Sequence, residues 1–122
     1  MKKILIVDDQ PEVRELVTIT LKNENYKILE ASEGKESINI IKKEKPDIIL
    51  LDIMLPGEID GFEVCRRIRE DKEFKNIFIV MLSSQGSEED IEKGKQFGAD
   101  DYFVKPFSPL QLIKKVEDLL GS

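Results

Sequence analysis

Three aspartates follow apolar runs at positions where buried strands are expected to end. Asp8 and Asp9 come directly after the apolar residues 4–7, and Asp52 comes directly after the run IILL. Two carboxylates about 4 Å apart would repel each other by roughly 4 kcal/mol at an effective dielectric constant near 20. A divalent cation would offset that repulsion, and Mg²⁺ prefers oxygen ligands such as carboxylates. The pattern therefore predicts a magnesium site, with Mn²⁺ as the alternative ion.

A hydroxyl group and an ammonium group are predicted to join the three acids. Ser83 follows the apolar run IFIVML, and Lys105 follows the short segment DYFV. Beside a metal ion, Lys105 would balance the charge of a phosphoryl group, and Ser83 would donate a hydrogen bond to it. One of the carboxylates would then be placed to act as a nucleophile and to form an aspartyl phosphate.

Alternating strand and helix signals define the elements that must bring these residues together. Three strand candidates are continuous apolar runs, which is typical of parallel strands covered on both faces. The strand candidates are residues 3–7, 27–31, 47–51, 77–82 and 101–104. The helix candidates are residues 11–23, 35–43, 62–71, 88–97 and 109–120.

Five strand–helix units on one chain predict an α/β fold. We expect one domain over residues 1–122, built as a doubly wound five-stranded parallel sheet with helices on both faces. Ligands in such folds bind at the carboxyl ends of the strands, near the point where the strand order reverses. All the candidate site residues named above lie at those strand ends.

Several helix boundaries carry signals of their own. Ser108 and Pro109 are predicted to be the N-cap and the first residue of the last helix. Ser87 followed by Asp90 resembles a capping box, although glutamate is the stronger partner at that third position. Gly98 stands where a helix commonly ends in a left-handed residue.

The composition excludes several kinds of function. The chain has no histidine, which rules out a Ser–His–Asp triad, a Cys–His pair and a histidine-ligated zinc site. A net charge of −6 argues against nucleic-acid binding by this chain alone. There is no apolar stretch of membrane-spanning length and no secretory signal, so we expect a cytoplasmic protein without a membrane segment. The single cysteine, Cys65, lies in the helical segment FEVCRRIR and is predicted to be a packing residue.

Three common functions of this fold class fit the sequence poorly. Nucleotide-binding and flavin-binding versions would need a phosphate-binding loop after the first strand, whereas the segment DDQPE has no glycine and three acids. A haloacid-dehalogenase-like phosphatase would need the pattern D-x-D, and here the two aspartates are adjacent.

Four segments of the chain contain the residues named above: LIVDDQ, LLDIMLP, VMLSS and GADDYFVKPF. In order and spacing they resemble the receiver domain of two-component response regulators, and the resemblance runs from Lys3 to Leu120. It implies a flavodoxin-like fold with the strand order 2-1-3-4-5 that a chemotaxis member of the family has. It also implies that Asp52 is the phosphoacceptor.

The same resemblance assigns roles to the other candidate residues. Asp8 and Asp9 match the acidic pair that holds Mg²⁺, together with Asp52 and the backbone carbonyl of Met54. Lys105 matches the lysine that pairs with the phosphoryl group, and the bond from Lys105 to Pro106 would be cis. Ser83 matches the hydroxyl residue that turns toward the phosphoryl group, and Tyr102 matches the aromatic switch that then moves inward.

The sequence departs from the family pattern near Asp52. The segment IMLPGEIDGF is one residue longer between Pro56 and Gly61 than the commonest form, so the shape of this loop is an open question. Met54 and Gln85 occupy positions that influence the dephosphorylation rate in the family, and neither can act as a base. We therefore expect slow hydrolysis of the aspartyl phosphate.

The resemblance implies partners as well as a site. The chain has no histidine, so the phosphoryl donor is expected to lie on another molecule. The resemblance implies that this donor is a phosphohistidine of a sensor histidine kinase or histidine phosphotransfer protein, which would dock near helix 11–23 and loop 105–107. The readout surface would comprise residues 88–97, 101–104 and 109–120, in a monomer or a phosphorylation-dependent dimer with an unknown downstream target.

Three interpretations of the whole remain open. The first is a signalling module that is not an enzyme, apart from catalysing its own phosphorylation and dephosphorylation. The second is a magnesium-dependent acyl-phosphate hydrolase. The third is an unphosphorylated scaffold, or pseudo-receiver, which the complete set of acids disfavours.

Overall fold

The computed structural model describes residues 1–22 and 25–121 of the chain. Its strands are β1 (Lys2–Val7), β2 (Tyr26–Ala31), β3 (Ile48–Asp52), β4 (Phe78–Ser83) and β5 (Asp101–Val104). Its α-helices are α1 (Pro11–Leu21), α2 (Gly34–Glu44), α3 (Gly61–Glu70), α4 (Glu88–Gln96) and α5 (Pro109–Leu120). A short 3₁₀-helix, Lys72–Phe74, follows α3 and was not predicted from the sequence.

The five strands form one parallel sheet, as the sequence predicted, and their order β2-β1-β3-β4-β5 is the one that the family resemblance implied. Helices α1 and α5 pack on one face, and α2, α3 and the end of α4 pack on the other. The strand order reverses between β1 and β3, so the carboxyl ends of these two neighbouring strands form the crevice where such folds bind ligands. Among the described residues, none of the helices is both long enough and apolar enough to span a membrane.

Alternating side chains of the central strands enter two separate cores. In β1, Leu5 and Val7 join the core beneath α2 and α3, whereas Ile4 and Ile6 join the core beneath α1 and α5. Strand β3 follows the same alternation, and these residues are fully buried. Each such side chain contributes roughly 1.5–3 kcal/mol on burial. Burial on both faces explains why these strands appear in the sequence as continuous apolar runs.

Most element boundaries lie within one residue of their predicted positions, and the differences at the strand ends have a clear cause. Asp52 pairs with Leu82 across the β3–β4 ladder, and the backbone N–H of Ile53 continues the ladder by donating to the carbonyl of Leu82 at 3.0 Å. The strand therefore includes Asp52 itself. Helix α1 ends at Leu21, and its predicted last residue, Asn23, lies outside the described residues.

The predicted caps are present. Ser108 and Gln111 form a complete capping box on α5, and the side chain of Ser87 accepts a hydrogen bond from the backbone N–H of Asp90. Gly98 has a φ of +97°, in the left-handed region. One cap was missed: Asp60 accepts a hydrogen bond from the backbone N–H of Glu63 and begins α3. The spacing of an aspartate and a glutamate three residues later was the signal for it.

Cys65 is a packing residue, as predicted. Its side chain is buried in the core beneath α2 and α3, and its thiol donates to the carbonyl of Phe97 at 3.2 Å. Burial raises the pKa of the Cys65 thiol to about 11, so the thiolate is scarcely populated at neutral pH.

Candidate functional site

Three carboxylates meet where β1 and β3 end. The register pairs Val7 with Leu51, so the residues that follow, Asp8 and Asp52, are neighbours across the two strands. One carboxylate oxygen from each of Asp8, Asp9 and Asp52 lies within 4.8 Å of the others. Asp8 and Asp52 are buried, whereas Asp9 is exposed. The cluster therefore has one open side.

Both oxygens of Asp8 are held in place. Its Oδ1 accepts a hydrogen bond from the backbone N–H of Gln10 at 2.9 Å, and its Oδ2 accepts one from Nζ of Lys105 at 2.6 Å. Arg14 fixes the same residue from α1, because its guanidinium donates to the backbone carbonyl of Asp8 at 2.7 Å. The position of Asp8 in the site is therefore fixed by hydrogen bonds to its side chain and its backbone.

Lys105 reaches the acids from the end of β5. Its backbone N–H donates to the carbonyl of Ser83 at 2.7 Å, and the peptide bond from Lys105 to Pro106 is cis, as the resemblance implied. Its Nζ lies 2.6 Å from Asp8 and 3.5 Å from Asp52. One ammonium group therefore serves two buried carboxylates.

The ammonium group of Lys105 does not fully compensate the negative charge of Asp52. Burial, and next the negative charge of Asp8, raise the pKa of the Asp52 carboxyl from 3.8 to about 6, although Lys105 and a hydrogen bond from the backbone N–H of Met54 act in the opposite direction. A carboxylate held at this position would be stabilised by a further positive charge.

The oxygen atoms available here suit a hard cation. The cluster offers carboxylate oxygens, with neither histidine nor cysteine among its residues, and this donor set matches Mg²⁺ or Mn²⁺ better than zinc. An open groove of about 600 Å³ borders Asp9, Asp52 and Met54 and leaves room for water and a substrate group. The side chain of Met54 points away into solvent, since it is 76% exposed.

Ser83 lies between this groove and a second cavity. It is buried at the end of β4, and its Oγ accepts hydrogen bonds from the backbone N–H groups of Gln85 (3.2 Å) and Gly86 (3.0 Å). Both bonds use the hydroxyl oxygen as acceptor, so its hydrogen remains available for donation. Ser83 lines the acidic groove and also a cavity of about 220 Å³ between α4 and β5.

Tyr102 borders that second cavity rather than the acids. The residue is 37% exposed, and the cavity next to it is lined mainly by apolar groups, including Met81, Ile91 and Ala99. The structure therefore brings together Asp8, Asp9, Asp52 and Lys105, places Ser83 and Met54 along the groove, and keeps Tyr102 on the far side of Ser83.

Gly61 is a residue of the site that sequence reasoning missed. A Cβ at this position would lie 2.1 Å from the carbonyl oxygen of Asp52, so the start of α3 packs directly against the backbone of the central acid. The only signal in the sequence was a glycine directly after the Asp60 cap.

Comparison with known proteins gives a consistent result. A family model described as the response regulator receiver domain matches residues 4–117. A solved structure from Chloroflexus aurantiacus J-10-fl, described as a response regulator, is 36% identical with a TM-score of 0.92, and the match covers 99% of this chain and 98% of that one. The chemotaxis protein CheY4 of Vibrio cholerae is 34% identical with a TM-score of 0.91, over 98% of each chain. The BeF3-activated N-terminal receiver domain of RstA from Klebsiella pneumoniae is 34% identical with a TM-score of 0.89, over 99% of this chain and all of that one.

Proposed function

The chain belongs to the response regulator receiver domain family, and on that premise we propose that Asp52 accepts a phosphoryl group from a phosphohistidine of a partner protein in a Mg²⁺-dependent step. The family is a class of signalling module in two-component systems rather than a conventional enzyme. The partner would be a sensor histidine kinase or a histidine phosphotransfer protein, and phosphorylation would change the surface that a downstream target contacts.

One observation carries the proposal: the carboxylates of Asp8, Asp9 and Asp52 converge within 4.8 Å beside the ammonium group of Lys105. A cluster of three acids with a single cation needs further positive charge when all three are ionised. Mg²⁺, bound by the three acids and the backbone carbonyl of Met54, would supply that charge and would polarise the phosphoryl oxygens.

Asp52 is placed to act as the nucleophile. One of its carboxylate oxygens would form a bond to phosphorus while the bond from phosphorus to the donor imidazole nitrogen breaks. The electron pair of the broken bond stays with that nitrogen, so a donor that carries a proton on its other ring nitrogen leaves as a neutral imidazole. Lys105, already 3.5 Å from Asp52, would stabilise the charge on the transferring group.

Ser83 and Tyr102 are proposed to carry the signal outward. The hydroxyl of Ser83 has a hydrogen to donate toward a phosphoryl oxygen, and its position borders the cavity beside Tyr102. If Ser83 turned toward Asp52, the Tyr102 ring could enter this cavity, whose volume of about 220 Å³ exceeds the roughly 150 Å³ of an engineered cavity that binds benzene. The surface of α4, β5 and α5 would then change.

The similar structures support this proposal without deciding the donor. The receiver domains of DrrB and RstA were solved in BeF3-activated form, and beryllofluoride is an analogue of a phosphoryl group. The cytoplasmic location and the oligomeric state stay predictions.

Intact-mass spectrometry tests the proposal directly. The protein is incubated with acetyl phosphate, with and without Mg²⁺, beside the variants Asp52→Asn and Asp118→Asn. Asp118 is an exposed acid on α5 and serves as the matched control for removing one carboxylate. We expect the mass of one phosphoryl group to be added to the wild type and to Asp118→Asn only when Mg²⁺ is present, and Asp52→Asn to remain unmodified.

The same experiment separates the alternatives. An adduct on Asp52→Asn equal to that on the wild type would overturn the assignment of Asp52. Rapid loss of the adduct with continuous release of phosphate would favour the acyl-phosphate hydrolase. No adduct on the wild type, also after incubation with a phosphorylated histidine phosphotransfer protein, would favour the scaffold interpretation.

A further inference from the structure

The loop between β3 and α3 contacts two positions where the chain has no room for a side chain. A Cβ on Gly34, the first residue of α2, would lie 2.5 Å from Cγ1 of Ile59 and 2.9 Å from the carbonyl oxygen of Ile59. A Cβ on Gly61 would lie 2.1 Å from the carbonyl oxygen of Asp52. Neither glycine has a positive φ. These positions therefore require glycine for space and not for backbone conformation.

Ile59 links the two glycines. Its side chain is buried in the core beneath α2 and α3, and it is two residues before Gly61 in the chain. The loop is closed at its base, because the backbone N–H of Gly61 donates to the carbonyl of Ile53 at 2.9 Å. A shift of Ile59 would therefore be passed along the chain to Gly61, which packs against the carbonyl oxygen of Asp52.

The other side of this contact is a fixed support. At the start of α2, the hydroxyl of Ser37 donates to the carbonyl of Gly34 at 2.6 Å, and the backbone N–H of Ser37 donates to the carbonyl of Glu33 at 3.1 Å. The carboxylate of Glu36 accepts from the backbone N–H of Ser32 at 2.7 Å. Because these groups are paired with one another, the first turn of α2 keeps its shape, and an added Cβ on Gly34 would push against Ile59.

We propose that Gly34, Ile59 and Gly61 are positioning residues for the metal site, holding Asp52 and the Met54 carbonyl at the spacing that Mg²⁺ requires. This inference rests on the proposed function, in which Asp52 and Met54 are metal ligands. Mg²⁺ tolerates little departure from octahedral geometry, so a displacement of a few tenths of an ångström lowers its affinity.

The extra residue in this loop explains why an anchor is needed. The ion pair between Lys35 and Glu58 is exposed to solvent on both sides, so it holds the loop only weakly. The buried contact of Ile59 with Gly34, together with the burial of Ile53 and Leu55 on either side of Met54, limits where the lengthened loop can place Met54.

Isothermal titration calorimetry of Mg²⁺ binding tests the proposal on the unphosphorylated protein. For Gly34→Ala we expect the dissociation constant to rise by about tenfold, the lower end of the effect of disturbing groups that position metal ligands. The control is Val116→Ala, which removes buried atoms from the core beneath α1 and α5 and lowers stability without touching this loop. We expect its dissociation constant for Mg²⁺ to equal that of the wild type.

A double variant distinguishes steric positioning from a general loss of stability. Ile59→Ala removes Cγ1 and Cδ1, two of the three atoms that an added Cβ would meet. We therefore expect Gly34→Ala combined with Ile59→Ala to lose less affinity than the product of the two single effects. Wild-type affinity in Gly34→Ala, or independent effects in the double variant, would overturn this inference. A wild type that fails to bind Mg²⁺ would instead overturn the proposed function.

Discussion

The two sides of Asp52 are packed in opposite ways. On the closed flank, formed by Gly34, Ile59 and Gly61, there is no room even for one methyl group. On the open flank, beyond Ser83, a cavity of about 220 Å³ lies beside a partly exposed Tyr102. The closed flank is covered by the starts of α2 and α3 and the open flank by α4, so the difference arises from how these helices pack around the same end of the sheet.

This difference suggests that the two flanks of Asp52 have different roles, one holding groups in place and the other allowing a side chain to move. Close packing is suited to holding metal ligands at fixed distances, because displaced atoms meet strong repulsion. An adjacent cavity provides a place into which a side chain can move at low cost. A protein that must bind an ion tightly and also change its surface needs both kinds of packing near the same atom.

The largest effect is expected on the closed flank. In Gly61→Ala the added Cβ would meet the backbone carbonyl oxygen of Asp52, which cannot rotate away. We expect a loss of about 3 kcal/mol of stability or more, the upper range for overpacking a core. Urea unfolding followed by circular dichroism measures it. A loss below about 1 kcal/mol would mean that this flank is more deformable than its contacts indicate.

The second largest effect concerns the charge of Asp52, and it tests whether the ionised carboxylate destabilises the folded protein. Its pKa is raised from 3.8 to about 6, so the folded protein holds the Asp52 proton more tightly than the unfolded chain. The stabilising effect of that proton is complete below about pH 4 and is lost as the pH rises through 6. We expect Asp52→Asn to be about 2 kcal/mol more stable than the wild type at pH 8 without metal, and no more stable at pH 3.

Thermal unfolding at several pH values measures this effect. Addition of Mg²⁺ should stabilise the wild type and leave Asp52→Asn almost unchanged, because binding to the folded state alone raises stability. Equal stability of the two proteins at pH 8 without metal would contradict the raised pKa.

On the open flank a glycine-to-alanine substitution is expected to raise stability instead of lowering it. A Cβ on Gly94 in α4 would lie 3.4 Å from Cγ of Met81 and 3.8 Å from Cβ of Ala99, which are ordinary contacts. Alanine is also the better helix former, so we expect Gly94→Ala to gain about 0.5–1 kcal/mol in urea unfolding. A loss of stability like that of Gly61→Ala would remove the distinction between the two flanks.

The smallest effect is expected at the exposed edge of the closed flank. Nζ of Lys35 lies 2.7 Å from a carboxylate oxygen of Glu58, and both side chains are exposed. Such a pair contributes about 0–1 kcal/mol, so we expect Lys35→Ala to change stability by less than about 0.5 kcal/mol. A larger change in the urea midpoint would show that this ion pair, and not Ile59, anchors the loop.

Much of this architecture could be predicted because local patterns and tertiary structure agree. The buried runs of β1, β3 and β4 need cover on both faces, which a central sheet between two layers of helices provides. The five-unit α/β fold could therefore be predicted from the sequence. The convergence of the acids could be predicted as well, since parallel strands bring their carboxyl ends to one edge of the sheet. The strand order, the switch role of Ser83 and the assignment of Tyr102 came instead from the family resemblance.

The chain by itself determined which chemical groups exist and at which strand ends they stand: three aspartates, a serine and a lysine, with no histidine to compete for a metal. Only the tertiary structure decided how those groups are held. Whether Gly34 and Gly61 touch the loop around Asp52, and whether space remains beside Tyr102, depends on distances between elements far apart in the sequence. Residue types specify volume and charge, but packing density is a property of neighbours that only folding brings into contact.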